Sequence, residues 1–80
     1  MLKIVVFVSG GGTDLQSIID YEKSGQLENG HIDVVISNRK KAYGLERARM
    51  AGIDAIHERD QDKILEILSE RKIDLVVLAG

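Results

Sequence analysis

The chain has 80 residues, 44% of them apolar and 30% charged, with a formal net charge of −2; this bounds it to one small globular domain with no basic excess for nucleic acid. Cysteine is absent, which excludes disulfides, thiolate metal sites and thiol catalysis. Apolar runs reach only about five residues, far short of a membrane span, and Met1-Leu2-Lys3 leads straight into a strand pattern with no secretory leader, so a cytoplasmic setting is expected.

Ile4-Val5-Val6-Phe7-Val8 is continuous and mostly β-branched, the pattern of a strand buried on both faces. After Ser9-Gly10-Gly11-Gly12, a helix is predicted from Thr13 to Lys23. Thr13 is its expected N-cap, Gln16 completes a capping box, and Gly25 is the stop. Leu15, Ile18 and Ile19 share its apolar face. Ile32 to Ile36 is a second buried strand. Gly44 to Ala51 is a short helix with Leu45, Ala48 and Ala51 inward, Glu46 and Arg47 toward solvent, and Gly52 closing it. Ile53 to Ile56 is a third strand. Asp60 to Arg71 is a third helix presenting Ile64, Leu65, Ile67 and Leu68, and Leu75 to Leu78 has the composition of a central fourth strand. The order β-α-β-α-β-α-β predicts an α/β fold on a parallel sheet with right-handed crossovers. The segment that would complete the sheet and its cleft should follow the last strand, so residues 1–80 are expected to be the N-terminal part of a larger domain, cut after the fourth strand.

The run Ser9-Gly10-Gly11-Gly12-Thr13-Asp14 joins a strand to a helix N-terminus through bare backbone. Unpaired N–H groups and the positive end of the helix dipole make such a turn an anion site, and phosphate is its commonest ligand. A P-loop is excluded because Thr13-Asp14, and no Lys-Ser or Lys-Thr pair, follows Gly12. The dinucleotide fingerprint fails twice: Leu15 occupies the third glycine's place, and the second strand ends in Ser37-Asn38-Arg39 with no carboxylate for a ribose. A single phosphate held around Gly11, Gly12 and Thr13 is left, beside the alternative of a glycine turn that merely packs tightly. Asp14 suits the helix dipole but repels a nearby phosphate.

The ordered set Ser9 to Gln16, Ile36-Ser37-Asn38, Gly44-Leu45-Glu46-Arg47-Ala48, Ala51-Gly52-Ile53 and Asp74 to Gly80 resembles the phosphoribosylglycinamide formyltransferase family over the whole chain. The resemblance implies a Rossmann-like, formyltransferase-type N-terminal half-domain. It also implies a role in de novo purine biosynthesis, with a formyl group passing from the co-substrate 10-formyltetrahydrofolate to glycinamide ribonucleotide, without a metal. The ribonucleotide phosphate would lie on Gly11, Gly12, Thr13 and Asp14, where the family commonly has asparagine at the last position. Arg59 falls near a folate-side arginine of some members. The family's catalytic asparagine, histidine and aspartate belong to a stretch after Gly80 that includes a His-Pro-Ser segment, so this chain carries no catalytic residue and is expected to be inactive alone.

Other candidates read as structure. His31 is expected to be exposed, His57 with Glu58 and Asp60 to be a solvated turn, and Arg39-Lys40-Lys41 likewise. Ser37 and Asn38 are expected to bond nearby backbone. The rival to an enzyme fragment is a phosphate-binding or self-associating module that forms a homodimer through its incomplete sheet. Neither reading involves nucleic acid or a membrane.

Overall fold

In a computed structural model covering residues 1–80, the apolar runs and helical patterns form seven elements. They are β1 (Leu2–Val8), α1 (Thr13–Lys23), β2 (Gly30–Ser37), α2 (Tyr43–Met50), β3 (Asp54–His57), α3 (Gln61–Glu70) and β4 (Leu75–Leu78). The strands are all parallel, in the order β3-β2-β1-β4. From β1 the chain steps outward through α1 to β2 and through α2 to β3. It then returns through α3 to β4, on the other side of β1.

The two faces of β1 explain its unbroken apolar run. Ile4, Val6 and Val8 pack with Ile32 and Val35 of β2 against Leu15 and Ile19 of α1 and Leu45 and Ala48 of α2. Val5, with Val34 and Ile36 of β2, packs against Ile64, Ile67 and Leu68 of α3 on the opposite face. Helices on both faces of a parallel sheet make this a doubly wound, Rossmann-like arrangement. Its winding reverses between β1 and β4, and ligands of such sheets gather at the carboxyl ends of the strands flanking that reversal.

A bulge adjusts β2. Ile4 pairs with Ile32 but Val5 with Val34, so Asp33 is an extra residue in the ladder. Its carboxylate accepts from Arg71 at 3.1 Å, and Asp54, the first residue of β3, accepts from the same guanidinium at 3.1 Å. The hydrogen bond to Asp33, then that to Asp54, raises the Arg71 pKa above its ordinary value against the desolvation that opposes it. A raised cationic pKa means the contribution is complete below the unfolded value, so the tie between α3, β2 and β3 holds throughout the neutral range.

The helix starts and stops are partly as the sequence predicts. Asp60 caps α3, accepting from the N–H groups of Asp62 at 2.8 Å and Lys63 at 3.4 Å. Thr13 does not cap α1: the N-cap is Gly12, in left-handed conformation at φ 76°, and Thr13 is the first helical residue with no capping bond. The capping box therefore does not form, and the Gln16 side chain bonds Asp20 and Arg47 instead. All three helices end in Schellman turns, with Gly25, Gly52 and Lys72 in left-handed conformation. After α3, the Lys72 N–H bonds Ser69 O at 3.1 Å and the Ile73 N–H bonds Leu68 O at 3.0 Å.

Within residues 1–80, β4 has β1 as its one neighbour, and Leu75, Val76 and Leu78 are exposed, Leu78 to 79%. Leu65 also faces solvent, so the buried stripe of α3 is narrower than its sequence suggests. No helix is long and apolar enough to cross a membrane.

Lys72 is the one helix stop made without glycine, at φ 56°. Replacing it by glycine removes the strain of a Cβ in the left-handed region, about 1–2 kcal/mol, against a smaller gain in unfolded-chain entropy. Lys72→Gly is therefore expected to raise the unfolding free energy by about 0.5 kcal/mol. A urea midpoint at or below that of the parent would contradict the account.

Candidate functional site

The loop after β1 is shaped by two glycines on different elements. A Cβ on Gly12 would sit 2.7 Å from the Gly44 Cα, and a Cβ on Gly44 would sit 2.8 Å from the Val8 Cγ2. Neither position accepts a side chain without displacing backbone or core. Gly10 and Gly11, by contrast, face open space. The loop thus lies directly on the start of α2.

Hydrogen bonds fix how it lies. The Gly44 N–H donates to Gly10 O at 3.0 Å. The Arg47 Nε–H donates to Gly11 O at 2.6 Å, and a second Arg47 nitrogen donates to the Gln16 side-chain oxygen at 3.2 Å. The same guanidinium lies 5.1 Å from the Tyr43 ring centroid, within cation–π range. Arg47 therefore does not face solvent as its place in a short polar helix predicts. It is half-buried and clamps the loop.

These contacts decide the direction of the loop amides. In a trans peptide the N–H points opposite to the C=O, and all peptides here are trans. Turning Gly10 O and Gly11 O toward α2 turns the Gly11 and Gly12 N–H groups away from it. No bond within the chain uses the N–H of Gly10, Gly11 or Gly12. The next three amides, of Thr13, Asp14 and Leu15, precede the first intrahelical donor, Gln16, whose N–H bonds Gly12 O at 2.8 Å, and they receive no side-chain cap. The Asp14 carboxylate lies near the end of β4, its Oδ2 3.9 Å from where a Gly80 Cβ would be. The loop is thus a set of unpaired donors at a helix N-terminus.

Ser9 closes the floor on the β4 side. Its N–H and its hydroxyl both donate to Gly80 O, at 2.7 and 2.6 Å. Beyond it, a 410 Å³ cleft is lined by Phe7, Ser9, Ile36, Arg59, Ile64 and Gly80, among others. Arg59 also lines an adjoining 540 Å³ recess with Asn38, Arg39, Lys40 and His57, in which no residue is apolar or acidic. The structure thus brings Arg59 to the carboxyl edge next to Ser9 and Gly80, and its guanidinium has no carboxylate partner. Glu58 accepts the N–H groups of Arg59 and Asp60 at 3.2 Å each. With Asp60 on the cap of α3, these acids serve the turn beside His57. Ser37 fixes its own turn, its hydroxyl accepting the Arg39 N–H at 3.1 Å. His31 is exposed and pairs with Glu22, at 2.5 Å.

Two residues of the loop's support escaped the sequence reading. Gly44, at the opening of the second helical pattern, carried a weak signal, since glycine is a poor helix former unless close packing requires it. Arg47 carried none, because its partner Gly11 is 36 positions away.

A family model described as formyl transferase matches residues 2–80. The phosphoribosylglycinamide formyltransferase of Haemophilus influenzae is 44% identical over 100% of this chain and 42% of its own length. That of Escherichia coli is 42% identical over 99% of this chain and 41% of its own length. Among solved structures, glycinamide ribonucleotide transformylase 1 from Symbiobacterium toebii superposes with a TM-score of 0.90 at 44% identity, covering 100% of this chain and 42% of that one. The chain therefore spans about two-fifths of the length of the curated relatives it matches.

Gly44→Ala tests the interlock of loop and helix. The added methyl meets Val8 at 2.8 Å and is expected to destabilise the fold by about 1–3 kcal/mol. Urea unfolding with less than about 0.5 kcal/mol of loss would show that the approach is not tight.

Proposed function

The chain belongs to the formyl transferase family, and on that premise we propose that it is the phosphate-holding, N-terminal portion of a phosphoribosylglycinamide formyltransferase of purine biosynthesis, acting in the cytoplasm. The observation that carries the reading is the row of unpaired amides from Gly10 to Leu15 at the sheet's winding reversal. Gly11, Gly12, Thr13 and Asp14 hold the phosphate of glycinamide ribonucleotide, with the Thr13 hydroxyl as an added donor. The positive end of α1 stabilises the dianion. Arg59, in its cationic recess, faces the folate co-substrate. In the reaction the ribonucleotide amine attacks the formyl carbon of 10-formyltetrahydrofolate. A C–N bond to the new acceptor forms as the one to the folate breaks, and a proton passes from the amine to the departing folate nitrogen. This chain's part is to anchor one end of the acceptor so that its amine is held in place. No residue of this chain is assigned to the formyl transfer itself, and the portion alone is inactive.

The loop assignment is tested by titrating the chain with ribose 5-phosphate while following the amide resonances of Gly11 to Asp14. Saturable shifts at those amides are expected. Asp14→Asn should tighten binding about tenfold, since it removes a carboxylate a few ångströms from the dianion. Unmoved loop amides in a folded sample would defeat the assignment, and weaker binding by Asp14→Asn would make the carboxylate a ligand contact.

A second reading rests on β4. Val76 and Leu78 with Leu65 form an exposed apolar edge beside α3, and Leu75 is exposed on the same strand. Such an edge favours pairing with a second copy, so the chain is a self-associating module as well. Sedimentation should show a concentration-dependent dimer; a monomer up to millimolar concentration would exclude it.

A further inference from the structure

We propose that Arg47 is the positioning residue of the anion loop: by clamping Gly11 O from behind, it aims the Gly12 amide outward and so sets the affinity for a phosphate group. The proposal rests on the phosphate reading of the loop and adds a residue to which no binding or catalytic part is otherwise given.

Three observations converge on it. The Nε–H bond to Gly11 O is 2.6 Å long, and a charged donor to a neutral carbonyl is among the stronger hydrogen bonds. The guanidinium is fixed at two further points, Gln16 on α1 and the Tyr43 ring on α2, so it joins the two helices on either side of the loop. Its aliphatic stem also packs on the loop, the Cδ being 3.3 Å from where a Gly12 Cβ would sit. A planar, multi-donor cation meets these demands together, and a lysine ammonium does not.

The peptide between Gly11 and Gly12 is the unit being held. With its oxygen fixed toward α2, its N–H must point away from that helix. Gly12 is still held by Gly44 and by its own bond to Gln16, but without Arg47 nothing within the chain bonds the Gly11–Gly12 peptide, and Gly11 has no side chain to restrict it. The Gly11 carbonyl could then turn into the site and present a negative end to the anion. Arg47 also places a positive charge behind the loop, which favours the same ligand.

The experiment compares the parent chain with Arg47→Ala, Arg47→Lys and Arg49→Ala. Arg49 lies on the same helix, pairs only with Glu46, and its removal changes net charge equally. Ribose 5-phosphate affinity is read by calorimetry, stability by thermal melting, and the Gly11 and Gly12 N–H directions by residual dipolar couplings in ligand-free protein. Arg47→Ala should weaken binding about tenfold or more and shift the Gly12 coupling. Arg49→Ala should change affinity less than about twofold. Arg47→Lys should stay near the alanine variant in both readouts, which also covers the case in which Arg47→Ala does not fold. Parental affinity in Arg47→Lys, or equal weakening by Arg49→Ala, would reduce the effect to charge and overturn positioning. Unchanged couplings at Gly12 would overturn it as well. No binding by the parent chain would refute the phosphate reading and the affinity claim with it, while the couplings still decide whether Arg47 aims the amide.

Discussion

The backbone of Gly12 touches the backbone of Gly44, and much of the site follows from that contact. With 2.7 Å between a Gly12 Cβ position and the Gly44 Cα, two bare residues must face each other. Gly12 can adopt φ 76° there because it lacks a side chain. That conformation starts α1 one residue earlier than a Thr13 cap would, and leaves the first-turn amides unbonded. It also turns the carbonyls of Gly10 and Gly11 toward α2, where Gly44 and Arg47 receive them. The carbonyls are satisfied by α2, and the amides are left without partners in the chain.

The contact requires α1 and α2 to lie side by side on one face of the sheet. They do so because β1, β2 and β3 are neighbours in chain order. A return crossover of α3 on that same face would meet helices already there; it runs on the opposite face, over Val5, Val34 and Ile36. β1 is consequently covered on both faces and paired on both edges, and the loop springs from that strand. A donor array on such a base loses little entropy on binding, because its geometry is set before the ligand arrives.

The fold was legible because its signals are local. Continuous β-branched runs gave the strands, and Gly25 and Gly52 gave two helix ends with their left-handed turns. The loop was legible as bare backbone before a helix. Thr13 was misplaced because capping rules see only neighbours in sequence, whereas Gly12 is held by a residue 32 positions later, Gly44. Arg47 and the Asp33 bulge were illegible for the same reason: the guanidinium's role depends on where Gly11 lies, and the bulge on where α3 ends.

Net charge hides how the charges are sorted. The amino edge of the sheet carries Asp33, Asp54 and Asp74, of which the first two hold Arg71 and the third accepts the Lys3 N–H at 2.8 Å. The carboxyl edge carries Arg39, Lys40, His57 and Arg59 in one recess, with Arg47 behind the glycine loop. Acids are present there too, but Glu58 and Asp60 are bonded to backbone amides at the start of α3. Their charge is set against that helix's own positive end. Asp14 is the exception, a carboxylate in the first turn of α1 with no hydrogen-bonded partner. The sum of −2 is therefore compatible with a locally positive field where the strands end, and such a field draws small anions to one edge without giving the whole molecule an affinity for polyanions.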